Sequence, residues 1–328
     1  MMNLDMVGVP IGVNALGDDS LVPALERWQA ARQGTARLVK GVENINWVGS
    51  DHTPYQLAGV MGWPVAHSRS PVIHNHWIAE HGLRGAYVLL PVQPVRLEQA
   101  LRALPVLGIA GCNLTIPHKV DAMSIVDHVD ALGQRIGAVN TIVVNTDGSL
   151  SGRNTDAFGF IQSLYEAGSP WQPASGPVCV VGAGGAARAV VVGLLDAGVP
   201  EIRLTNRSDG KATEMAGEFG DKVKAVAWSE RHACLEGCAL LVNTTNQGMH
   251  GQPALDLRLD ALPATALVSD IVYVPMETPL LTAAAARGNP TVNGLGMLLH
   301  QARPAFEAWF GTMPSISPEL LQKIKATF

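Results

Sequence analysis

The stretch VCVVGAGGAARA, Val178–Ala189, decides the fold. Four apolar residues read as a buried strand running into Gly182, and Gly182-Ala183-Gly184-Gly185-Ala186-Ala187 opens a helix. This is the GxGxxA form of a dinucleotide-binding turn. The first glycine permits the tight bend, and the second lets backbone amides approach a pyrophosphate at a helix N-terminus. A glycine-rich turn with no ligand is the competing reading. The strand before it and the helix after it favour the nucleotide, with Gly182, Ala183, Gly184, Gly185 and Ala186 as the contact residues.

The next strand bears on which nucleotide. It ends LTNRSDGK, and Asn206 stands where an NAD enzyme carries an acidic residue for the ribose hydroxyls. Arg207 follows at once and Lys211 four residues later. Two cations and no carboxylate at that strand end favour a 2′-phosphate, hence NADP. Turned inward, Asp209 could accept from an unphosphorylated ribose, which keeps NAD possible. The bland reading makes Arg207 and Lys211 solvated charges at a helix start.

Working outward, apolar runs alternate with helical stretches on both sides of the turn. Upstream stand LAGVMG, PVIHNHWIAEHG, AYVLLPV, VRLEQALRALP and GIAGCNLTIP; from the turn onward come PVCVV, EIRLTN, ALLVNTT and ALVSDIVY. The alternation predicts βαβ units, largely parallel sheets and an α/β fold. The last stretch, GLGMLLHQARPAFEAWFG, has apolar residues at helical spacing. Residues 1–54 lack clear periodicity apart from a helix-like Leu21–Ala36 and read as an N-terminal extension.

Two charged residues ahead of the turn are candidates for proton chemistry. Lys119 closes GCNLTIPHK (Gly111–Lys119), and Asp156 closes GRNTD (Gly152–Asp156). Alone, a lysine after a proline reads as a surface charge, and Asp156 ahead of FGFIQSL reads as a helix cap. Together, ahead of a nucleotide fold, they suggest an alcohol–ketone oxidoreductase in which the pair handles the proton. Ser68 and Ser70, in SRSP before a helical stretch, suit a substrate carboxylate. Ser70 followed by Pro71 equally suits an N-cap with proline at N1, whereas Ser68 has no such structural role in the sequence. The tripeptide His74-Asn75-His76 beside Trp77 is too short to argue for a metal or a nuclease and reads as structural.

Composition sets the outer bounds. The 328 residues allow two ordinary domains, and 47% hydrophobic against 16% charged residues is the balance of a packed protein. A net charge of −5 gives no reason to expect nucleic acid or an anionic membrane as partner. The longest apolar stretch, Val178–Leu195, is interrupted by Arg188 and holds four glycines, so it does not read as a membrane span. Met1–Pro10 carries no secretory pattern, and Cys112, Cys179, Cys234 and Cys238 are scattered without a second ligand pair for zinc. Reduced cysteines, no metal, a cytoplasmic location and a monomer or homodimer are the expectations.

Taken together, the segments resemble the shikimate dehydrogenase family from about Ala58 to Gly311. The resemblance is carried by GWPVAHSRSPVIHN, GCNLTIPHK, IGAVNTI, GRNTDAFGF, VVGAGGAARA, TNRS, DIVYVP, TPLL and GLGMLLHQA, in that order. It implies an α/β substrate-binding domain (55–156 and 295–328), to which the last helix returns, and a Rossmann-type dinucleotide-binding domain (157–294). It implies Lys119 and Asp156 as the catalytic pair and NADP-dependent reduction of 3-dehydroshikimate to shikimate in aromatic amino-acid biosynthesis. Ser68 and Ser70 would then hold the substrate carboxylate, and Thr115, Asn140 and Gln301 the ring hydroxyls, with Asn113 nearby and Tyr273 closing the pocket. Gly294 and Met297 would lie by the nicotinamide, and Asn206, Arg207, Ser208 and Lys211 at the adenosine phosphate. The alternatives are an NAD-dependent quinate/shikimate dehydrogenase and a ligand sensor without turnover. Asn246 in NTTNQG stands where the family commonly has serine, and the first fifty or so residues lie outside the family span.

Overall fold

The structure is a computed structural model that describes residues 55–168 and 171–328. The extension expected over 1–54, with its helix-like Leu21–Ala36, lies outside the described residues.

The first half of the described chain builds one sheet. Its elements are β1 (Gln56–Gly62), α1 (Ser70–Glu80), β2 (Gly85–Pro91), α2 (Leu97–Ala103), β3 (Ile109–Leu114), β4 (His128–Val129), α3 (Ala131–Ile136), β5 (Thr141–Val144) and β6 (Leu150–Arg153). The strand order is β2-β1-β3-β5-β6-β4. β1 pairs in parallel with β2 and β3, as the alternation predicts, but β5 runs antiparallel to both β3 and β6. The expectation of a largely parallel sheet fails here for a local reason. β5 and β6 are joined by the short turn Asn145–Ser149, and a connection that short can close only an antiparallel hairpin. The Asn145 amide donates to the Ser149 carbonyl at 2.8 Å, and its side chain donates to the Ser149 and Ser151 hydroxyls at 2.9 Å each.

Helix α4 (Asp156–Glu166) leads into the second sheet. That sheet comprises β7 (Val178–Val181), α5 (Gly185–Asp196), β8 (Ile202–Thr205), α6 (Asp209–Phe219), β9 (Val223–Val226), β10 (Leu240–Asn243), β11 (Leu267–Asp270), α7 (Pro279–Ala286) and β12 (Thr291–Val292). Its order is β12-β11-β10-β7-β8-β9, and every pairing is parallel. Both faces are covered, so its central strands read as continuous apolar runs: Val178 to Val181 are 0% exposed. The two-sheet α/β architecture expected from the sequence is what the chain forms.

Helix α8 (Leu295–Phe310) joins the two cores, and α9 (Pro318–Lys325) ends the chain beside the first. Leu295, Leu299, Ala302, Phe306 and Trp309 of α8 pack with Trp77, Ile73 and Tyr87, whereas Met297 packs with Phe160, Leu164 and Val180. The tightest crossing is α4 on α8. A Cβ on Gly159 would fall 2.6 Å from both N and Cβ of Gln301 and 2.8 Å from the Met297 carbonyl. Those are mostly backbone atoms and cannot step aside. Gly159→Ala should therefore destabilise the fold by about 1–3 kcal/mol, because overpacking forces the helices apart. Gln301 would move with α8, so a severalfold rise in the KM for a substrate held by Gln301 is the expected companion effect, read by thermal denaturation and steady-state kinetics. An unchanged KM would free Gln301 from the binding role.

Candidate active site

The loop after β3 carries Lys119 and is pinned on several sides. The Thr115 amide donates to the Met61 carbonyl (2.9 Å), His118 Nε2 meets the Val92 carbonyl (2.8 Å), and the Val139 amide donates to the Lys119 carbonyl (2.8 Å). His118 is fully buried while Ile116 and Val120 face outward, so the turn presents Lys119 inward. Its Nζ lies 2.5 Å from Asp156 Oδ2, with the two side chains 19% and 5% exposed. The surface-charge reading of Lys119 is thereby excluded.

Asp156 is the first residue of α4, and Thr155 holds the N-cap position without a side-chain cap bond. Asp156 is not itself a cap: its amide donates to Asn154 Oδ1 (3.0 Å), which leaves the carboxylate for other partners. Asn140, at the start of β5, donates from Nδ2 to Asp156 Oδ1 (2.8 Å) and more weakly to Gln301 Oε1 (3.4 Å). A buried carboxylate is tolerable only with such partners, since an isolated one costs several kcal/mol. Lys119, Asp156, Asn140 and Gln301 thus form one bonded group, drawn from a loop, a strand start and two helices.

At the start of α1 the sequence expectation reverses. Arg69 occupies the N-cap position, Ser70 is the first helical residue, and the cap has no side-chain hydrogen bond of its own. Instead the Ser68 hydroxyl accepts from the Ser70 amide at 3.3 Å. Capping therefore belongs to Ser68, and the buried Ser70 hydroxyl is not needed for it. Thr115 is half-buried behind β1, where a Cβ on Gly62 would collide with its methyl. Tyr273 is half-buried with its ring 6.1 Å from that of Phe328, and burial raises its hydroxyl above the usual tyrosine value while Arg69 opposes the rise. Arg69, which sequence reading passes over, donates to the Thr327 carbonyl (2.7 Å) and lies over the Phe328 ring. It ties the end of the chain to the Ser68–Ser70 segment, and only its place between the two serines could have flagged it.

The turn after β7 has the features that a pyrophosphate requires. Gly182 takes φ +117°, where side chains are strained, and a Cβ there would collide with Thr244 Oγ1. Gly184 faces open space, with no atom within 4 Å of an added Cβ, and as N-cap of α5 it uses no side-chain cap. There is therefore room beside the N-terminus of α5, the positive end of the helix dipole. A Cβ on Gly185 would fall 3.9 Å from that of Lys119, so the turn adjoins the charged pair. At the end of β8, Asn206 donates to the Ser208 carbonyl (3.0 Å), while the side chains of Arg207 and Lys211 are exposed and make no hydrogen bond or ion pair among the described residues. Asp209 Oδ1 accepts from the Trp228 amide at 2.7 Å, which turns one oxygen of the carboxylate that could have served an unphosphorylated ribose toward Trp228. Gly294 passes so close to the Ile271 carbonyl that no Cβ fits between them. The Met297 side chain is 8% exposed and packs into the core of the second sheet.

Residues 60–142 match the shikimate dehydrogenase substrate binding domain, 171–250 the shikimate / quinate 5-dehydrogenase family, and 294–318 the shikimate 5′-dehydrogenase C-terminal domain. The chain is 60% identical over 265 residues to the shikimate dehydrogenase (NADP(+)) of Paramagnetospirillum magneticum, covering 81% of this chain and 96% of that one. This chain belongs to the shikimate dehydrogenase family.

Solved shikimate dehydrogenase-like structures share the fold. The shikimate 5-dehydrogenase of Thermus thermophilus, in complex with NADP(H) and shikimate, superposes with TM-score 0.75 at 36% identity over 84% of this chain and 100% of that one. The quinate dehydrogenase of Corynebacterium glutamicum, in complex with NAD, gives TM-score 0.75 at 29% identity over 83% and 98%. Among the described residues, no helix of this shikimate dehydrogenase family member is long and apolar enough to cross a membrane.

Proposed function

We propose that this chain catalyses the reversible NADP-dependent reduction of 3-dehydroshikimate to shikimate, the alcohol-forming step of the shikimate pathway to aromatic amino acids. The observation that carries this reading is the buried Lys119–Asp156 pair at 2.5 Å, next to a dinucleotide turn. The 60% identity to an NADP-dependent shikimate dehydrogenase supports the substrate and cofactor. The quinate and NAD alternative is less favoured, since the NAD-bound quinate dehydrogenase is 29% identical and Asp209 is engaged by Trp228. A sensor without turnover has no support from a site that keeps both charged residues paired.

Residues 55–156 and 295–328 would hold the substrate, and 157–294 the dinucleotide. Ser68 and Ser70 bind the carboxylate, while Thr115, Asn140 and Gln301 bind ring hydroxyls. Tyr273 would close the pocket. The open turn at Gly182–Ala186 and the free cationic side chains of Arg207 and Lys211 beside Asn206 and Ser208 fit NADP, and Gly294 and Met297 would lie by its nicotinamide. When bound, the reduced cofactor NADPH would supply the hydride for carbonyl reduction, and the oxidised NADP+ would accept it in reverse. The chain's own task is the proton: Lys119 Nζ delivers it to the carbonyl oxygen as the alcohol forms and removes it in reverse. Asp156 holds the ammonium in place and, with Asn140, fixes the reacting hydroxyl. A cytoplasmic location and a monomer or homodimer accompany this reading.

The deciding experiment is steady-state oxidation of shikimate and of quinate, each with NADP and with NAD. A clear preference for shikimate with NADP is expected; comparable rates with NAD or quinate would move the chain to the other branch. Replacing both Arg207 and Lys211 with alanine should raise the KM for NADP roughly tenfold or more, because charged hydrogen bonds to the 2′-phosphate are lost. The KM for NAD should stay nearly constant, and an equal rise for both cofactors would refute the phosphate role.

A further inference from the structure

A line of buried polar groups reaches Asn140 and Asp156 from β2, and the roles proposed for those two do not account for its other members, Tyr87, Asn113 and Thr141. The Tyr87 hydroxyl donates to Asn113 Oδ1 at 2.7 Å. Asn113 Nδ2 donates to the Asn140 carbonyl (3.1 Å) and to Thr141 Oγ1 (3.2 Å). Thr141 donates to Asn140 Oδ1 (3.1 Å), and Asn140 Nδ2 donates to Asp156 Oδ1 (2.8 Å). Every member is buried, none more than 5% exposed.

The direction of this chain is forced. Asn113 faces a backbone carbonyl, which can only accept, so its NH2 must point there and its oxygen toward Tyr87. Asn140 receives the Thr155 amide at 2.9 Å, which can only donate, so its oxygen points there and its NH2 toward Asp156. Thr141 lies between an amide donor and an amide acceptor and passes the direction on. Each donor therefore points toward the carboxylate, the arrangement in which successive bonds polarise one another. Tyr87 is the first donor. Asn75 holds its backbone from both sides, with the Tyr87 amide donating to Asn75 Oδ1 (2.9 Å) and Asn75 Nδ2 to the Tyr87 carbonyl (2.8 Å). The His74 ring stacks on its face at 4.0 Å. Burial pushes the Tyr87 hydroxyl well above its ordinary value and the nearby Cys112 adds to this, with the Ser70 hydroxyl opposing, so the phenol remains a donor across the working pH range.

We propose that Tyr87 is a positioning residue for the reaction: acting through Asn113 and Thr141, it joins the Thr155 amide in locking the Asn140 side chain, so that the Asn140 N–H holds the Asp156 carboxylate against Lys119. The inference rests on the proposed role of the Lys119–Asp156 pair. Tyr87→Phe removes the first donor and leaves Asn113 Oδ1 buried and unbonded, which loosens each later link. Thr141→Val cuts the same chain at another point with little change of shape.

The test is shikimate oxidation with NADP by the full-length chain, its two single variants and the Tyr87→Phe/Thr141→Val double variant. Thermal midpoints are measured alongside. Each single change should lower kcat roughly five- to thirtyfold, with the KM for shikimate within about twofold. The double variant should lose little more than the worse single, since both break one chain. Wild-type kcat in a folded Tyr87→Phe variant, or single losses that multiply in the double, would overturn the inference, because a purely structural role predicts independent effects. If Tyr87→Phe does not fold, Thr141→Val decides alone, and an unchanged kcat there overturns the inference. Absence of turnover in the wild type would instead sink the proposed function and the inference with it.

Discussion

Lys119→Ala should lower kcat for shikimate oxidation by roughly 10²- to 10⁴-fold while the KM for shikimate changes only a few fold. That range is the usual contribution of one positioned acid–base group. The asymmetry follows from geometry. The lysine stands 2.5 Å from Asp156 in a site where the carboxylate is 5% exposed, and the proposed role gives it proton transfer at the reacting oxygen rather than a hold on the rest of the substrate. An interaction made chiefly in the transition state lowers kcat and kcat/KM together when removed. Asp156 keeps the Asn140 bond in the variant, so its carboxylate is not left wholly without partners. Steady-state kinetics with saturating NADP, alongside a thermal midpoint to exclude unfolding, checks the expectation. Near-wild-type kcat would remove Lys119 from the chemistry.

Gly182→Ala should damage stability and cofactor binding together. Gly182 sits at φ +117°, a conformation that costs an L-residue about 1–3 kcal/mol. The new methyl would also collide with Thr244 Oγ1, whose hydroxyl donates to the Val181 carbonyl at 2.7 Å. Moving Thr244 breaks that bond, so the total loss should be about 2–4 kcal/mol. The relief of strain must come from the turn itself, which swings the first amides of α5 away from the place proposed for the pyrophosphate. We expect the KM for NADP to rise at least about tenfold, since a small misplacement of several charge-directed hydrogen bonds costs more than about 1.4 kcal/mol. Shikimate binding, measured by tryptophan fluorescence in the absence of nucleotide, should change little. A variant with normal NADP affinity would show that the turn does not hold the pyrophosphate.

Particular elements show where sequence reading succeeds and where it stops. The strands of the second sheet are legible because burial on both faces makes them unbroken apolar runs, with β7 expected to run into Gly182 and observed to end at Val181. The turn is legible because a left-handed glycine beside a close approach leaves a spacing that few other structures produce. The antiparallel β5 escapes a reading by alternation, although the short Asn145–Ser149 turn signals it, because periodicity carries no information on strand direction and connection length does. The Ser68/Ser70 exchange shows the limit of capping rules: one residue's shift in the helix start reassigns the role, and helix boundaries are defined no better than that by local pattern.

The sequence by itself determined the α/β class, the family and the dinucleotide turn. All three rest on local order along the chain, namely hydrophobic period, glycine spacing and motif succession. The tertiary structure alone decided that Lys119 is an inward ion-pair partner rather than a surface charge. It also decided that Arg69 anchors the chain end, that Gly159 lets α4 touch α8 at Gln301, and that Tyr87 heads a one-way chain into Asp156. Each of these depends on atoms brought within bonding distance from residues tens to hundreds of positions apart. No window along the sequence contains both partners, so the contact exists only once the cores have packed.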